Sequence, residues 1–258
     1  MIIQLLGTGT SQGVPVVGCR CPTCRSADPR DHRLRVSAWI RWKGQSLLID
    51  IGPDFRQQAL RAGINGLDAV FLTHEHSDHT AGLDDIRPLN HQRGGAIPFI
   101  GEPRVLDDLK RRFHYAFSPS LYPGLPEVDL QPVVAGQVIT VGPCRVQSFR
   151  VWHGNLAILA YRMGPFAYIT DASRLDPGLL SGALNDCKVL VINALHREPH
   201  HSHFNLEQAL ELAQQIDAGV CYLTHISHHM GLHAQVQQEL PDRVFLAWDG
   251  MEIELPDE

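Results

Sequence analysis

The sequence predicts a mixed α/β (α+β) fold with two mixed β-sheets and helices packed outside them. Three observations indicate this class. Most apolar segments are short, several of them are separated by glycine-containing turns typical of hairpins, and only a few segments show helical periodicity. At 258 residues the chain is long enough for one large domain, and we expect a single domain over residues 1–258.

The first half of the chain consists mainly of strand-like segments. A turn at Gly44-Gln45 separates two of them, which we expect to pair as a hairpin. Asp54 is placed to cap a helix that ends near Ala62, with Gly63 just beyond it. A further helix is predicted at residues 104–114. Strands are predicted at residues 2–6, 36–42, 47–49, 69–72 and 97–100.

The second half repeats the alternation of strands and turns. Residues 115–126 are rich in Pro, Ser, Tyr and Gly, which predicts an irregular loop. Residues 206–216 have helical periodicity. Strands are predicted at residues 145–152, 156–162, 166–170, 188–192, 220–223 and 244–248.

Composition and charge limit the partners of the chain. The formal net charge is −6 and the isoelectric point is about 6.2, so long-range attraction to a polyanion is absent and nucleic acid is disfavoured as the main partner. No apolar run approaches the roughly 20 residues of a membrane span, and no signal peptide is visible. We therefore expect a cytoplasmic protein without membrane contact.

Four metal-capable side chains follow a buried strand within six residues: His74, His76, Asp78 and His79. Alternate residues of an extended segment share a face, so His74 and His76 project to the same side. Asp78 and His79 lie one turn onward, and Gly82 allows close packing there. Imidazole and carboxylate groups suit zinc, manganese, iron or nickel. A polar surface loop with chance histidines is the alternative, and the order of four ligands directly after a strand disfavours it.

This His-x-His-x-Asp-His motif resembles the signature of the metallo-β-lactamase superfamily. Asp50, His153, Asp171 and His225 match further positions of the family pattern, and together these landmarks span most of the chain. The resemblance implies an αββα sandwich with the active site at one edge, between the sheets. It also implies that Asp50 orients one of the ligand histidines from behind.

The same resemblance implies two divalent metals, manganese or zinc, with nickel or iron also compatible. The first metal would be bound by His74, His76, His153 and Asp171. The second would be bound by Asp78, His79, Asp171 and His225. Asp78 and Asp171 are therefore expected to be catalytic as well as metal-binding. Two metals that share ligands can activate water for attack on a phosphate ester.

A second cluster contains three cysteines, Cys19, Cys21 and Cys24, and a tetrahedral zinc site needs one further ligand. His228 is the preferred candidate and His229 the alternative. This loop and the Thr-His-Ile-Ser-His segment resemble the PhnP subgroup of the superfamily, the cyclic phosphodiesterases, in which such a loop holds a structural zinc. Three reduced surface cysteines remain the other interpretation.

Histidines also precede the helix at 206–216. In the PhnP subgroup and the related tRNA 3′-processing nucleases, a histidine just ahead of this helix faces the scissile phosphate. His203 fits that position best and is expected to stabilise the phosphate or assist the leaving group, while His200 is the alternative. Arg87 follows the metal-binding motif and is expected either to contact a substrate phosphate or to pair with Asp84 or Asp85.

The resemblance implies a metal-dependent phosphodiesterase acting on a small phosphodiester, and 5-phosphoribosyl 1,2-cyclic phosphate of phosphonate breakdown is the leading candidate. A tRNA 3′-endonuclease is the second hypothesis, and the acidic charge disfavours it. A lactonase, thioesterase or lactamase is the third. A non-catalytic metal-binding module is disfavoured because all seven ligand positions are occupied. The family also allows a homodimer, although no sequence pattern indicates its interface.

Overall fold

The computed structural model describes residues 1–118 and 124–256. Two β-sheets face each other, and helices cover the outer face of each sheet. The strands are β1 (Ile2–Gly7), β2 (Ser37–Trp42), β3 (Gln45–Ile49), β4 (Ala69–Phe71), β5 (Ile97–Gly101), β6 (Val128–Pro132), β7 (Val138–Val141), β8 (Cys144–His153), β9 (Leu156–Met163), β10 (Phe166–Ile169), β11 (Arg174–Leu175), β12 (Val189–Asn193), β13 (Val220–Thr224), β14 (Val244–Leu246) and β15 (Met251–Glu254). The helices are α1 (Phe55–Ala62), α2 (Ser77–Thr80), α3 (Arg87–Arg93), α4 (Pro103–Arg112), α5 (His114–Phe117), α6 (Leu206–Ile216) and α7 (His233–Glu239).

The two sheets have matching topologies. In the first sheet the order is β15-β1-β2-β3-β4-β5-β6, antiparallel up to β3 and parallel from β3 to β6. In the second the order is β11-β8-β9-β10-β12-β13-β14, antiparallel up to β10 and parallel beyond it, with β7 paired to β8. Parallel strands end at the same edge of a sheet, so the loops that follow β4, β10 and β13 meet at one edge of the sandwich.

The fold has four layers, two sheets and a layer of helices on the outer face of each, and three apolar layers hold them together. The layer between the sheets contains Phe71 and Tyr161, whose rings meet edge to face at 5.3 Å. A second layer packs the first sheet against α1, α3 and α4, and a third packs the second sheet against α6 and α7. Each fully buried Leu, Ile, Val or Phe side chain contributes roughly 1.5–3 kcal/mol of transfer free energy. The predicted α/β fold with two sheets and outer helices is confirmed.

Helix ends show where local sequence signals were sufficient. The helix predicted at residues 206–216 is α6, which begins after a capping box in which Asn205 and Gln208 bond reciprocally. Helix α1 ends at Gly63, which has a φ of 70°. Asp54 is the N-cap residue of α1, as predicted, but its side chain makes no capping hydrogen bond, because its carboxylate accepts from the backbone N–H and guanidinium of Arg35.

Several elements were not predicted, namely β6, β7, β11, β15, α2, α3, α5 and α7. Strands β6 and β7 lie at the margins of the sheets and are largely exposed, so they lack a strong apolar pattern. The loop predicted at residues 115–126 overlaps the short helix α5, and its residues 119–123 lie outside the described residues. In the described parts of the chain, no helix combines the length and apolarity that crossing a bilayer requires.

Candidate metal centres

Three residues of the candidate site follow the ends of strands in an unusual backbone conformation. Asp50 follows β3, Asp171 lies just beyond β10, and His225 follows β13, with φ angles of 58°, 58° and 54°. Non-glycine residues rarely adopt this left-handed region, and such strain is concentrated at functional sites. The sharp turn at each strand end directs the side chain toward the same edge of the sandwich.

The loop after β4 packs tightly against the loop after β3. A Cβ atom on Gly52 would lie 2.1 Å from the carbonyl oxygen of Asp78, and one on Gly82 would lie 2.2 Å from that of Gly52. Both positions therefore require glycine, as predicted for Gly82. This close approach brings Asp78 and His79, on the short helix α2, beside the carboxylate of Asp50.

The first donor group consists of His74, His76 and His153, whose candidate ligand atoms lie within 4.8 Å of one another. Nε2 of His74 lies 2.9 Å from Nδ1 of His76. Nδ1 of His153 lies 2.7 Å from the carbonyl oxygen of Ser202, which can only accept a hydrogen bond. The proton of His153 is therefore on Nδ1, and the lone pair on Nε2 is available for a metal.

The second donor group consists of Asp78, His79, Asp171 and His225, with ligand atoms again within 4.8 Å of one another. Nε2 of His79 lies 3.1 Å from an oxygen of Asp78 and 3.3 Å from Oδ2 of Asp171. Nε2 of His225 lies 3.1 Å from Oδ1 of Asp171. The two oxygens of Asp171 thus face different histidines. An oxygen of Asp171 also lies within 4.8 Å of a ring nitrogen of His153, which belongs to the first donor group. Asp171 is therefore placed between the two groups, as a bridging carboxylate requires.

The charges of this group fit a cation. Burial lowers the pKa of His79, but the carboxylates of Asp78, Asp171 and Asp50 outweigh that effect and hold the pKa well above its ordinary value. Among the described residues, Nε2 of His79 and both ring nitrogens of His225 are buried without a hydrogen-bond partner. Buried donor atoms of this kind are normally satisfied. Carboxylates and unpartnered imidazole nitrogens therefore converge on a space that suits a divalent metal.

Asp50 holds the metal-binding loop from behind. Its carboxylate accepts hydrogen bonds from the backbone N–H of Thr73 at 2.8 Å, the Thr73 hydroxyl at 2.9 Å and Nδ1 of His79 at 2.7 Å. Since the Thr73 hydroxyl donates to Asp50, it accepts from Nδ1 of His74, 2.9 Å away. Asp50 thereby fixes the tautomers of His79 and His74, which leaves Nε2 of each ring free to bind a metal.

The three cysteines converge on His228 and not on His229. Nδ1 of His228 lies 3.3, 3.4 and 3.5 Å from the sulfur atoms of Cys19, Cys21 and Cys24. Burial raises the pKa of Cys21, but the backbone N–H of Cys24 and the His228 ring outweigh it and lower the pKa to about 6. Three sulfurs and one imidazole nitrogen around one point are the donor set of a tetrahedral zinc site.

His203 lies closer to the metal donors than His200 does. It is 9 % exposed, its Nδ1 is 3.8 Å from Oδ1 of Asp171, and its ring stacks on His225 with centroids 4.9 Å apart. Burial and the neighbouring His225 lower the pKa of His203 to about 2. His200 is one ring farther from the donors, in contact with His203 at 5.2 Å.

Arg87 does not lie among the metal donors. Its guanidinium pairs with Asp84 at 2.5 Å, which is the second of the two sequence-based interpretations. Arg87 lines a groove beside α1 and α3 that contains none of the predicted metal ligands. The structure therefore gives no support to a contact between Arg87 and a phosphate at the metal centre, because the guanidinium is already paired with the Asp84 carboxylate.

Sequence reasoning missed several positioning residues. Thr170 donates to Asp171 at 2.6 Å, and Asn193 bonds to both backbone polar groups of Ala172. Arg104 on α4 contacts the carboxylate of Glu75 in the metal-binding loop and the carbonyl oxygen of Ala157 in the opposite sheet. A buried Asn at a strand end was the available signal for Asn193, whereas nothing local indicates that Arg104 joins two sheets.

The fold and the donor groups define a hydrolase of the metallo-β-lactamase fold. The family model for the beta-lactamase superfamily domain matches residues 45–226, and the chain belongs to that family. The structure superposes with a TM-score of 0.91 on the crystal structure of a new diphosphatase from the PhnP family, which is 37% identical and is matched over 98% of this chain and 96% of its own. Members of the family bind divalent metals, as does zinc-bound PqqB from Methylobacterium extorquens, which is 19% identical with a TM-score of 0.80.

Two curated relatives differ in their named activities. A ribonuclease Z from Mycolicibacterium gilvum (strain PYR-GCK) is 29% identical, over 86% of this chain and 83% of the relative. An octanoyltransferase from Porphyromonas gingivalis (strain ATCC BAA-308 / W83) is 44% identical over 96% of this chain, but the chain spans only 50% of that relative's length. The second name belongs to a protein twice as long.

Proposed function

We propose that this chain is a two-metal phosphodiesterase that acts on a small phosphate diester, with 5-phosphoribosyl 1,2-cyclic phosphate as the leading substrate. The observation that carries the proposal is the position of His203, a buried imidazole beside the bridging Asp171 and His225 with Nδ1 unpartnered among the described residues. An N–H donor beside the donor groups can stabilise a non-bridging phosphate oxygen or a departing oxygen.

The residues divide the chemistry between them. When bound, two divalent metals would activate water and polarise the phosphate oxygens. Asp171 faces both donor groups and orients them, and Asp78 supplies a further carboxylate oxygen to the second group. His203, a neutral ring, donates a hydrogen bond from its N–H to a phosphate oxygen, and Asp50 keeps His79 in the tautomer that binds metal. The relatives named as a diphosphatase and a ribonuclease Z support phosphorus–oxygen bond cleavage as the reaction class.

Acyl chemistry is the second candidate, favoured by the octanoyltransferase name of the 44% identical relative. Because this chain matches only half of that protein, the named activity does not have to belong to the shared half. A hydrolytic site of the same fold could also cleave a lactone or a thioester. Parallel assays with an octanoyl ester separate acyl from phosphoryl specificity.

The test is phosphorus NMR of zinc- or manganese-reconstituted protein with the cyclic diester, a linear diester and a diphosphate diester, and an absorbance assay with p-nitrophenyl octanoate. We expect ring opening of the cyclic diester. Asp171→Asn, which keeps the left-handed backbone accessible, should abolish it. His203→Ala should lower kcat by about 10²- to 10³-fold, whereas His91→Ala, at an exposed position on α3, should not. Hydrolysis of the octanoyl ester alone would contradict the proposal.

A further inference from the structure

A series of histidine rings leads away from the metal donors along the loop between β12 and α6 and ends at His229, on the loop between β13 and α7. Its rings are in contact, with centroid distances of 5.2 Å from His203 to His200, 4.4 Å from His200 to His201, 5.7 Å from His200 to His196 and 6.3 Å from His196 to His229. The proposed function uses only His203. We call the outer four rings, His196, His200, His201 and His229, the histidine cluster.

His196, His200 and His201 lie on one loop, and backbone hydrogen bonds join the two ends of that loop. The N–H of Leu195 donates to the carbonyl oxygen of Phe204 at 3.0 Å, and the N–H of Leu206 donates to that of His196 at 2.9 Å. The side chain of Asn205 donates to the carbonyl oxygen of Arg197. A loop pinned in this way presents its side chains in a fixed arrangement, which reduces the entropy lost on ligand binding.

The protonation of His200 follows from its neighbours. Its Nδ1 lies 3.3 Å from the backbone nitrogen of Ser202, which donates to it. A neutral His200 therefore carries its proton on Nε2 and is a hydrogen-bond donor on that side. Nδ1 of His196 is buried and has no hydrogen-bond partner among the described residues. Because that atom is shielded from solvent, the donor that these two rings offer to a ligand is Nε2 of His200.

The cluster suits an anion better than a metal. In the parts of the chain that the structure describes, no carboxylate forms an ion pair with the cluster, and Glu198 in the same loop has no such contact. The ring nitrogens also do not form a close three-donor group like those at the metal centres. Imidazole N–H groups without carboxylate partners are suitable donors for phosphate oxygens.

We propose that the histidine cluster is a subsite for a second phosphate group of the substrate, separate from the phosphate that is cleaved. The inference rests on the proposed function, because the scissile phosphate must lie beside His203. A second phosphate on the same substrate would then meet His200, which contacts His203 at 5.2 Å, and the exposed rings of the cluster, His201 and His229. The enzyme would therefore prefer phosphorylated sugar diesters to diesters that carry a single phosphate.

The experiment compares two chromogenic substrates that differ by one group: thymidine 5′-(p-nitrophenyl phosphate) and the same compound with a 3′-phosphate. For the metal-reconstituted wild-type protein we expect the 3′-phosphate to raise kcat/KM about tenfold or more, through KM. The double variant His201→Ala/His229→Ala should lose most of this preference. His91→Ala is the matched control and should keep it, and zinc analysis of the double variant checks that the neighbouring His228 site is intact.

The outcomes separate the two proposals. If the wild-type protein cleaves neither compound, nor the cyclic diester, the phosphodiesterase proposal fails. If it cleaves the unphosphorylated compound but the 3′-phosphate gives no preference, the subsite inference is overturned while the phosphodiesterase stands. A preference that stays at the wild-type level in the double variant would also overturn it, because the exposed rings of the cluster would then contribute nothing to phosphate binding.

Discussion

Replacement of Asp50 by Asn tests how strongly the metal centre depends on a residue that contacts no substrate. Asn tolerates the left-handed backbone at this position, where φ is 58°, so the change is confined to one oxygen atom. The Asp50 carboxylate accepts three hydrogen bonds, two from Thr73 and one from His79. An amide has one oxygen, so at least one of these donors faces an NH₂ group instead.

Each orientation of the new amide has a distinct cost. If its NH₂ group faces the Thr73 backbone N–H, a buried donor loses its acceptor, which costs about 1–3 kcal/mol of stability. If its NH₂ group faces Nδ1 of His79, that nitrogen must accept, and the proton moves to Nε2, where it blocks metal binding. Loss of such a supporting contact typically weakens metal affinity about 10- to 100-fold.

The assay has two parts because the two costs appear in different measurements. Chelator competition gives the affinity for zinc, and denaturant unfolding of the metal-free protein gives the free energy of unfolding. We expect Asp50→Asn to lower at least one of them by the amounts above, and Asp54→Asn, on an adjacent loop, to leave zinc affinity unchanged. Wild-type zinc affinity together with wild-type stability in Asp50→Asn would refute the role assigned to Asp50.

Two further predictions concern contacts that hold the centre in place. Cys21→Ser should lower the zinc content by one equivalent per chain and the thermal midpoint by about 5 °C or more, because a four-ligand site loses a thiolate. Elemental analysis measures the zinc content and calorimetry measures the midpoint. Unchanged values would favour the interpretation as three reduced surface cysteines. Arg104→Ala should weaken zinc affinity about tenfold, since its guanidinium joins the metal-binding loop to the opposite sheet. Arg111→Ala, on the same helix with an 80% exposed side chain, is the control, and equal effects of the two would reject the positioning role.

The sequence predicted what depends on local pattern. Helix α6 was predictable because its cap and its periodicity both lie within the helix and its flanking residues. The loop from His74 to His79 was predictable because four candidate ligands lie within six residues of one another in the chain. Strand β7 was missed because it is exposed at a sheet margin. The N-cap position of Asp54 was predictable, but the partner of its carboxylate was not, because that partner, Arg35, lies nineteen residues away.

Long-range pairings explain the remaining difference between prediction and structure. The choice of His228 over His229 depends on how a loop more than 200 residues away approaches it, which no local pattern encodes. The choice of His203 over His200 similarly depends on which ring reaches Asp171 across the second sheet. Family resemblance supplied a preference in both cases, and the structure places His228 beside the cysteines and His203 beside Asp171.

The matching topologies of the two sheets explain why equivalent aspartates have different roles. Asp50 and Asp171 each follow the strand at which a sheet changes from antiparallel to parallel, and both have a φ of 58°. Three donors close around the carboxylate of Asp50, so it can only orient other residues. The carboxylate of Asp171 instead faces histidines from both sheets. In the first sheet Asp50 thus supports the loop from His74 to His79. In the second sheet Asp171 instead lies between the two donor groups.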